Sequence, residues 1–201
     1  MIEKCSKTQP ENLSELNLSL HKEADEILHR KGLLEVLKQF GTPHISGSYA
    51  LDLMTWRDLD IYLENDHISE STFFELGRQI EKLLHPLKMS YRNERLARSK
   101  GLPNGLYWGI YLGDERKGAW KIDIWAVEPP ELQDLLNYCS DLKTKLTPET
   151  RNKILEIKSQ CWKNPEYRRS FQSTDIYKAV LENGISVFHE FEEYLKSYVF
   201  K

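Results

Sequence analysis

The chain has 201 residues, of which 40% are hydrophobic and 29% charged, and its formal net charge is -3. That length suits one compact domain or two small lobes with a sizeable core, and the composition is that of a soluble globular protein, not a disordered one. A charge so near neutral gives no global attraction to nucleic acid or anionic membrane, so any phosphate binding has to be local.

The three cysteines, Cys5, Cys139 and Cys161, are odd in number and widely spaced. No CxxC pair exists, which argues against a disulfide framework or a zinc site and fits a reducing, cytoplasmic setting. Met1 to Pro10 is polar and lacks the apolar stretch of a signal peptide. No run of ~18 apolar residues is available to span a membrane.

Residues 1–15 read as a frayed polar start. From Ser19 to Phe40 apolar residues recur at helical spacing (Leu20, Ala24, Ile27, Leu28, Leu34, Leu37), with Gly32 dividing two helices and Gly41 closing the second. Pro43 forces an extended backbone, and His44-Ile45-Ser46 reads as a short strand. Residues 58–63 alternate: Leu59, Ile61 and Leu63 face one way, Asp58, Asp60 and Tyr62 the other, which predicts a strand with one buried face. Ser71 to Leu84 is helical, with Thr72 and Glu75 spaced for a capping box. Leu87 to Tyr91, Gly105 to Leu112 and Ala119 to Val127 read as three more strands, divided by turns at Gly101–Gly105 and Gly113–Gly118.

Beyond Pro129-Pro130 no strand is expected. Glu131 to Tyr138 reads as a short helix. A second helix runs from the Thr147 cap and Pro148 to about Trp162, and Ser173 to Leu181 and Ile185 to Val199 follow around Asn183-Gly184. The pattern is an α+β class: a mixed sheet flanked by helices over residues 1–128, then a helical lobe over residues 129–201.

Two segments carry chemistry. One is Ile45-Ser46-Gly47-Ser48, separated by nine residues from Asp58-Leu59-Asp60; the other is Lys121-Ile122-Asp123-Ile124-Trp125. Asp58 and Asp60 share a strand face, because side chains repeat every two residues. Asp123 is an acid on a strand that otherwise builds core, a costly position unless a partner or metal compensates it. Three carboxylates on adjacent strands suit Mg²⁺, and two such ions roughly 3.5–4 Å apart stabilise both attacking and leaving oxygens at phosphorus. Gly47 permits a tight turn and close backbone approach, Ser48 offers a hydroxyl and an N–H to a phosphate, and a short helix at Tyr49–Met54 would add its dipole.

The hydrophobic-Gly-Ser turn, the Asp58-x-Asp60 pair and a later strand bearing Asp123 together resemble the signature of the DNA-polymerase-β-like nucleotidyltransferases. The resemblance spans roughly residues 30–128. It implies that Gly47 and Ser48 bind the triphosphate, that Asp58 and Asp60 hold two Mg²⁺ (Mn²⁺ being the alternative), and that Asp123 binds the catalytic metal and helps activate an acceptor hydroxyl. It further implies transfer of an NMP, with AMP from ATP favoured, to a hydroxyl acceptor, a small molecule being favoured over a protein side chain. A nucleic-acid partner is not expected from the charge, and no membrane partner is. The contrasting reading is a nucleotide- or partner-binding module on the same scaffold.

Several residues keep two readings. Arg57 is a phosphate contact or half of a surface ion pair; Lys121 touches the nucleotide or pairs with a carboxylate. Asp52 reads as a loop residue. Arg92, Arg95, Arg98 and Lys100 form a basic loop that steers a triphosphate or is merely solvated. Residues 141–169 carry eight Lys/Arg against four Asp/Glu, a polyanion surface or a solvated helix face. Asp175 and Tyr177 open a late helix as pocket lining or as cap and core. The six histidines show no metal-ligand spacing.

Overall fold

A computed structural model describes residues 12–199. Cys5 and the segment Met1–Pro10 lie outside them. The chain opens with α1 (Leu13–Asp25), which continues through a π-helical turn at Glu26–Arg30. It begins six residues before Ser19 because Asn12 caps it, accepting from the Ser14 N–H at 3.1 Å. Gly32 then takes φ +86°, which divides this segment from α2 (Leu33–Lys38). Next come β1 (Thr42–Ser46), the one-turn α3 (Gly47–Ala50), β2 (Asp58–Glu64) and α4 (Glu70–Leu84). The helix after the Gly-Ser turn therefore starts at Gly47, not at Tyr49. Ser69 caps α4 through the Thr72 N–H, and Glu75 pairs with Arg78 instead of closing a capping box.

β3 (Lys88–Asn93), the one-turn α5 (Glu94–Ala97), β4 (Gly105–Tyr111) and β5 (Lys121–Val127) complete the sheet. Its order is β1-β2-β5-β4-β3. β2 and β5 run parallel at the centre, and the other three neighbouring pairs are antiparallel. The alternation in β2 and β5 sends Leu59, Ile61, Leu63, Ile122, Ile124 and Ala126 into the core with α1, α2 and α4. The opposite face keeps the polar side chains.

α6 (Pro129–Lys145), α7 (Pro148–Cys161), α8 (Ser173–Asn183) and α9 (Phe188–Val199) follow. α6 is longer at both ends than expected, because Pro129 and Pro130 sit in its first turn, where a missing N–H costs nothing, and Leu142 extends the buried stripe. These helices gather a second hydrophobic cluster around Ile154, Ile157, Ile176 and Phe191, joined by Leu51 and Leu53 from the segment between α3 and β2. Among the described residues no helix is long and apolar enough to cross a membrane.

Candidate functional site

The register of the two central strands builds the site. Asp60 pairs with Asp123 and Asp58 with Lys121 across β2 and β5. All four share one sheet face, and β4 adds Gly109 opposite Asp123 and Tyr107 opposite Trp125. A Cβ at Gly109 would crowd the Tyr107 hydroxyl, so the glycine leaves room for that hydroxyl to donate to Asp123 Oδ1 at 2.6 Å. Gly47 takes φ +60°, and a Cβ there would fall on the Asp60 carboxylate. The Gly-Ser turn is thus packed directly against the acid pair. Ser48 is buried beside it.

The three acids sit in different fields. Burial pushes Asp58 up, but the charges of Arg168 and Lys121 outweigh it and hold the carboxyl below its usual range. Burial raises Asp60, and the neighbouring charges of Asp58 and Asp123 raise it further, to about 7. Burial also lifts Asp123, partly offset by Lys121. Lys121 is itself buried and bonded to Asp123 Oδ2; the surrounding acids hold its pKa above the usual lysine value despite burial.

Arg168, on the loop between α7 and α8, donates to Asp58 Oδ2 at 2.7 Å and to Glu115 at 3.0 Å. Its backbone is left-handed, φ +66°, a conformation that costs a non-glycine residue energy. Sequence reasoning did not single it out; its one signal was membership of the basic run 141–169. A second such residue is Lys158 on α7. It is fully buried, donates to Leu53 O at 2.8 Å and to the Tyr177 hydroxyl at 3.1 Å, and lies 4.7 Å from the Trp56 ring. Burial pulls its pKa down to about 7, against the pull of Asp58 and Asp60.

Other flagged residues are tied elsewhere. Arg57 donates to Glu23 of α1 at 2.5 and 2.7 Å and to Gly118 O at 3.2 Å. Asp52 binds Asn17 and Arg151. In the basic loop, Arg92 pairs with buried Glu94 at 2.7 Å and Arg95 donates to Ile68 O. Asp175 caps α8 through the Gln172 N–H, and Tyr177 is buried under Lys158. Among the histidines, His44 pairs with Glu64 at 3.0 Å.

Among the described residues no three His, Cys, Asp or Glu side chains already stand as a metal cage. Lys121 and Arg168 instead supply positive charge to Asp123 and Asp58. The donor set nevertheless fits a hard cation. It offers carboxylate oxygens on adjacent strands, a buried Asp58 Oδ1 with no hydrogen-bond partner, and an Asp60 carboxyl that burial, and then repulsion from Asp58 and Asp123, keeps far above its usual range.

This five-stranded mixed sheet flanked by helices, with its acids on the central parallel pair, has a nucleotidyltransferase-like α+β fold. A cytoplasmic RNA terminal U-transferase is similar with a TM-score of 0.54 at 13% identity, over 84% of this chain and 53% of that one. The polymerase core of TRAMP, an RNA surveillance complex, gives 0.55 at 15% identity, over 86% and 56%. A poly(U) polymerase bound to Mg and 3′-dATP gives 0.52 at 14% identity, over 85% and 54%. The chain spans about half the length of these structures. No family model and no curated protein matches the sequence.

Proposed function

We propose that the chain is a metal-dependent nucleotidyltransferase that moves an NMP, with AMP from ATP as the favoured donor, to a hydroxyl and releases pyrophosphate. One observation carries the reading: Asp60 lies in register with Asp123 on the neighbouring strand while the Gly47-Ser48 turn packs against Asp60. Asp58, Asp60 and Asp123 would hold the Mg²⁺ ions. Bound there, the metal supplies Lewis-acid stabilisation of charge at phosphorus. The Gly47-Ser48 turn takes the triphosphate through its backbone N–H groups and the Ser48 hydroxyl. The acceptor oxygen forms a bond to the α-phosphorus, the bond to the β-phosphate oxygen breaks, and the hydroxyl proton passes to the Asp123 carboxylate. Tyr107 and Lys121 hold that carboxylate in place through their hydrogen bonds. Lys121 also stands within the site to meet phosphate, whereas Arg57, locked to Glu23, supports the edge of the site instead.

The reading divides the chain into a catalytic lobe, residues 1–128, and a helical lobe, residues 129–201, in a reducing cytoplasmic setting. The acceptor is a small molecule or a protein side chain on the charge argument. The similarity in fold to an RNA terminal U-transferase supports a strand hydroxyl as a third candidate acceptor.

A second reading, a nucleotide-binding module, is favoured by the cations already paired with Asp58 and Asp123. Calorimetry with ATP and Mg²⁺ separates them from a fold without a site. The double variant Asp58→Asn/Asp60→Asn should lose metal-dependent ATP binding and keep its melting transition; unchanged affinity overturns the metal assignment. Pyrophosphate release by the wild type then decides between enzyme and binder.

A further inference from the structure

Beside Asp58 opens a cavity of about 400 Å³ that contains neither Gly47 nor Ser48, Asp60 or Asp123. It lies at the start of β2 and β5 and is lined as well by residues of the loop from Trp162 to Arg169. Two features define its chemistry. The first is charge. Six cations line it (Arg57, Arg116, Lys121, Lys163, Arg168, Arg169) against the carboxylates of Asp58 and Glu115. Arg57, Lys121 and Arg168 are held by Glu23, Asp123 and the two lining acids. Arg116, Lys163 and Arg169 are exposed and make no ion pair with the described residues. In a chain of net charge -3, such an excess of cations is a local concentration.

The second feature is an aromatic wall. Trp56 and Trp162 stack with ring centroids 6.3 Å apart, and Tyr167 meets Trp56 edge-on at 5.2 Å. Lys163 lies 4.8 Å over the Trp162 ring, so the free charge and the flat apolar surface are side by side. A planar ring carrying phosphate satisfies both, by stacking and by ion pairing. Neither a neutral sugar nor an apolar ligand would use the three free cations.

The position adds direction. In-line displacement requires attacking and leaving oxygens on opposite sides of the phosphorus. Asp60 faces the Gly-Ser turn, while Asp58 forms the rim of this cavity. If the triphosphate lies at the turn, against Asp60, it leaves the cavity beside Asp58 open, because neither residue of the turn lines it. We propose that it is the acceptor site, and that it takes a phosphorylated nucleoside, free or at the end of a single strand, with the ring on Trp56 and Trp162 and phosphate on Lys163, Arg169 and Arg116. The inference rests on the nucleotidyltransferase reading for its role and on the cavity alone for its ligand.

Tryptophan fluorescence, titrated without divalent metal or ATP, reads occupation of the wall. The two probes are a nucleoside 5′-monophosphate and a single-stranded RNA of about six residues. Both should quench; tighter, salt-sensitive binding of the strand identifies a strand end, and equal affinity identifies the free nucleotide. The surface pair Lys163→Glu/Arg169→Glu, which leaves the core untouched, should weaken the probe by at least about tenfold while Mg²⁺–ATP affinity, measured separately, stays within about twofold. Trp162→Ala should reduce the quench, with a thermal melt confirming that it folds. Probe binding indifferent to charge reversal overturns the ligand. A parallel loss of Mg²⁺–ATP affinity overturns the acceptor role, because the cavity then belongs to the donor. Failure of Asp58→Asn/Asp60→Asn to affect Mg²⁺–ATP binding would instead strike the underlying reading and leave the probe result standing.

Discussion

Asp60 concentrates the conflict in this site. Its carboxyl is raised to about 7 by burial and by the charges of Asp58 and Asp123. A carboxyl whose pKa is higher in the folded than in the unfolded chain contributes stability below its unfolded value, near 4. That contribution is lost as pH rises through about 7. Above pH 7 the metal-free protein therefore carries the full cost of ionising it. Asp60→Asn removes this cost. Its melting temperature at pH 8 without metal should exceed that of the wild type by at least about 2–4 °C, the shift that 1 kcal/mol makes in a protein this size. At pH 4 the difference should close. Adding Mg²⁺ with ATP should reverse the order, since only the wild type gains binding energy. A variant that melts lower than the wild type at pH 8 without metal would show that Asp60 is a stabilising partner and not a strained ligand.

Gly47 and Ser48 are neighbours with different duties. A side chain at Gly47 meets both a left-handed backbone and the Asp60 carboxylate. Gly47→Ala should displace Asp60 and so weaken Mg²⁺–ATP binding more than Ser48→Ala, which removes one hydrogen bond worth roughly 0.5–1.5 kcal/mol. Dissociation constants for the two variants check the order. The opposite order would mean that the hydroxyl, and not the turn, carries the phosphate.

At the scale of elements, α7 joins the sheet to the helices through the buried amine of Lys158. Lys158 reaches from α7 to Leu53 O, in the segment between α3 and β2. Burial lowers its pKa from 10.5 to about 7. Between those two values the unfolded chain binds a proton that the folded one lacks, so stability rises with pH across this window and is lost as pH falls through 7. Lys158→Met abolishes that linkage. Urea melts at pH 7.5 and 9.5 should show a wild-type gain that the variant lacks; parallel behaviour of the two proteins would mean that Lys158 stays charged in the fold. The loop that follows α7 carries Arg168 to Asp58 and fixes one wall of the cavity. The loop between α7 and α8 therefore sits on an acid of the sheet.

Across the whole molecule, what was legible was local. The alternation in β2 and β5 is written in consecutive residues, so the common face of Asp58 and Asp60 and that of Lys121 and Asp123 could be read directly, as could the Gly-Ser turn at its offset; the register that sets Asp58 against Lys121 and Asp60 against Asp123 is a property of the packed sheet. The extent of α6 was misjudged because a Pro-Pro pair reads as a break until its place in the first helical turn is seen. Arg168, Lys158, Trp56 and Trp162 were not legible. Their partners lie on distant segments, Asp58 being 110 positions from Arg168 and Leu53 being 105 from Lys158. A basic run such as 141–169 looks solvated until packing shows that Lys158 is core, Arg151 holds Asp52, and Lys163, Arg168 and Arg169 surround one cavity. Arg57 shows the converse: an arginine next to the acid pair proves to be committed to Glu23.

The central claim is that these acids perform a transfer and do more than bind. Asp123 separates the two, because in the proposed reaction its carboxylate receives the acceptor proton and acts in the transition state, whereas nucleotide docking would depend on Asp58, Asp60 and the Gly-Ser turn. The measurement is pyrophosphate release from ATP and Mg²⁺ with a pool of hydroxyl acceptors, run beside ATP calorimetry on wild type and Asp123→Asn. The expected result is metal-dependent release by the wild type, and in the variant ATP affinity within about tenfold of wild type with turnover reduced by at least about a hundredfold. ATP binding by the wild type with no release from any acceptor, or undiminished release by Asp123→Asn, would contradict the account.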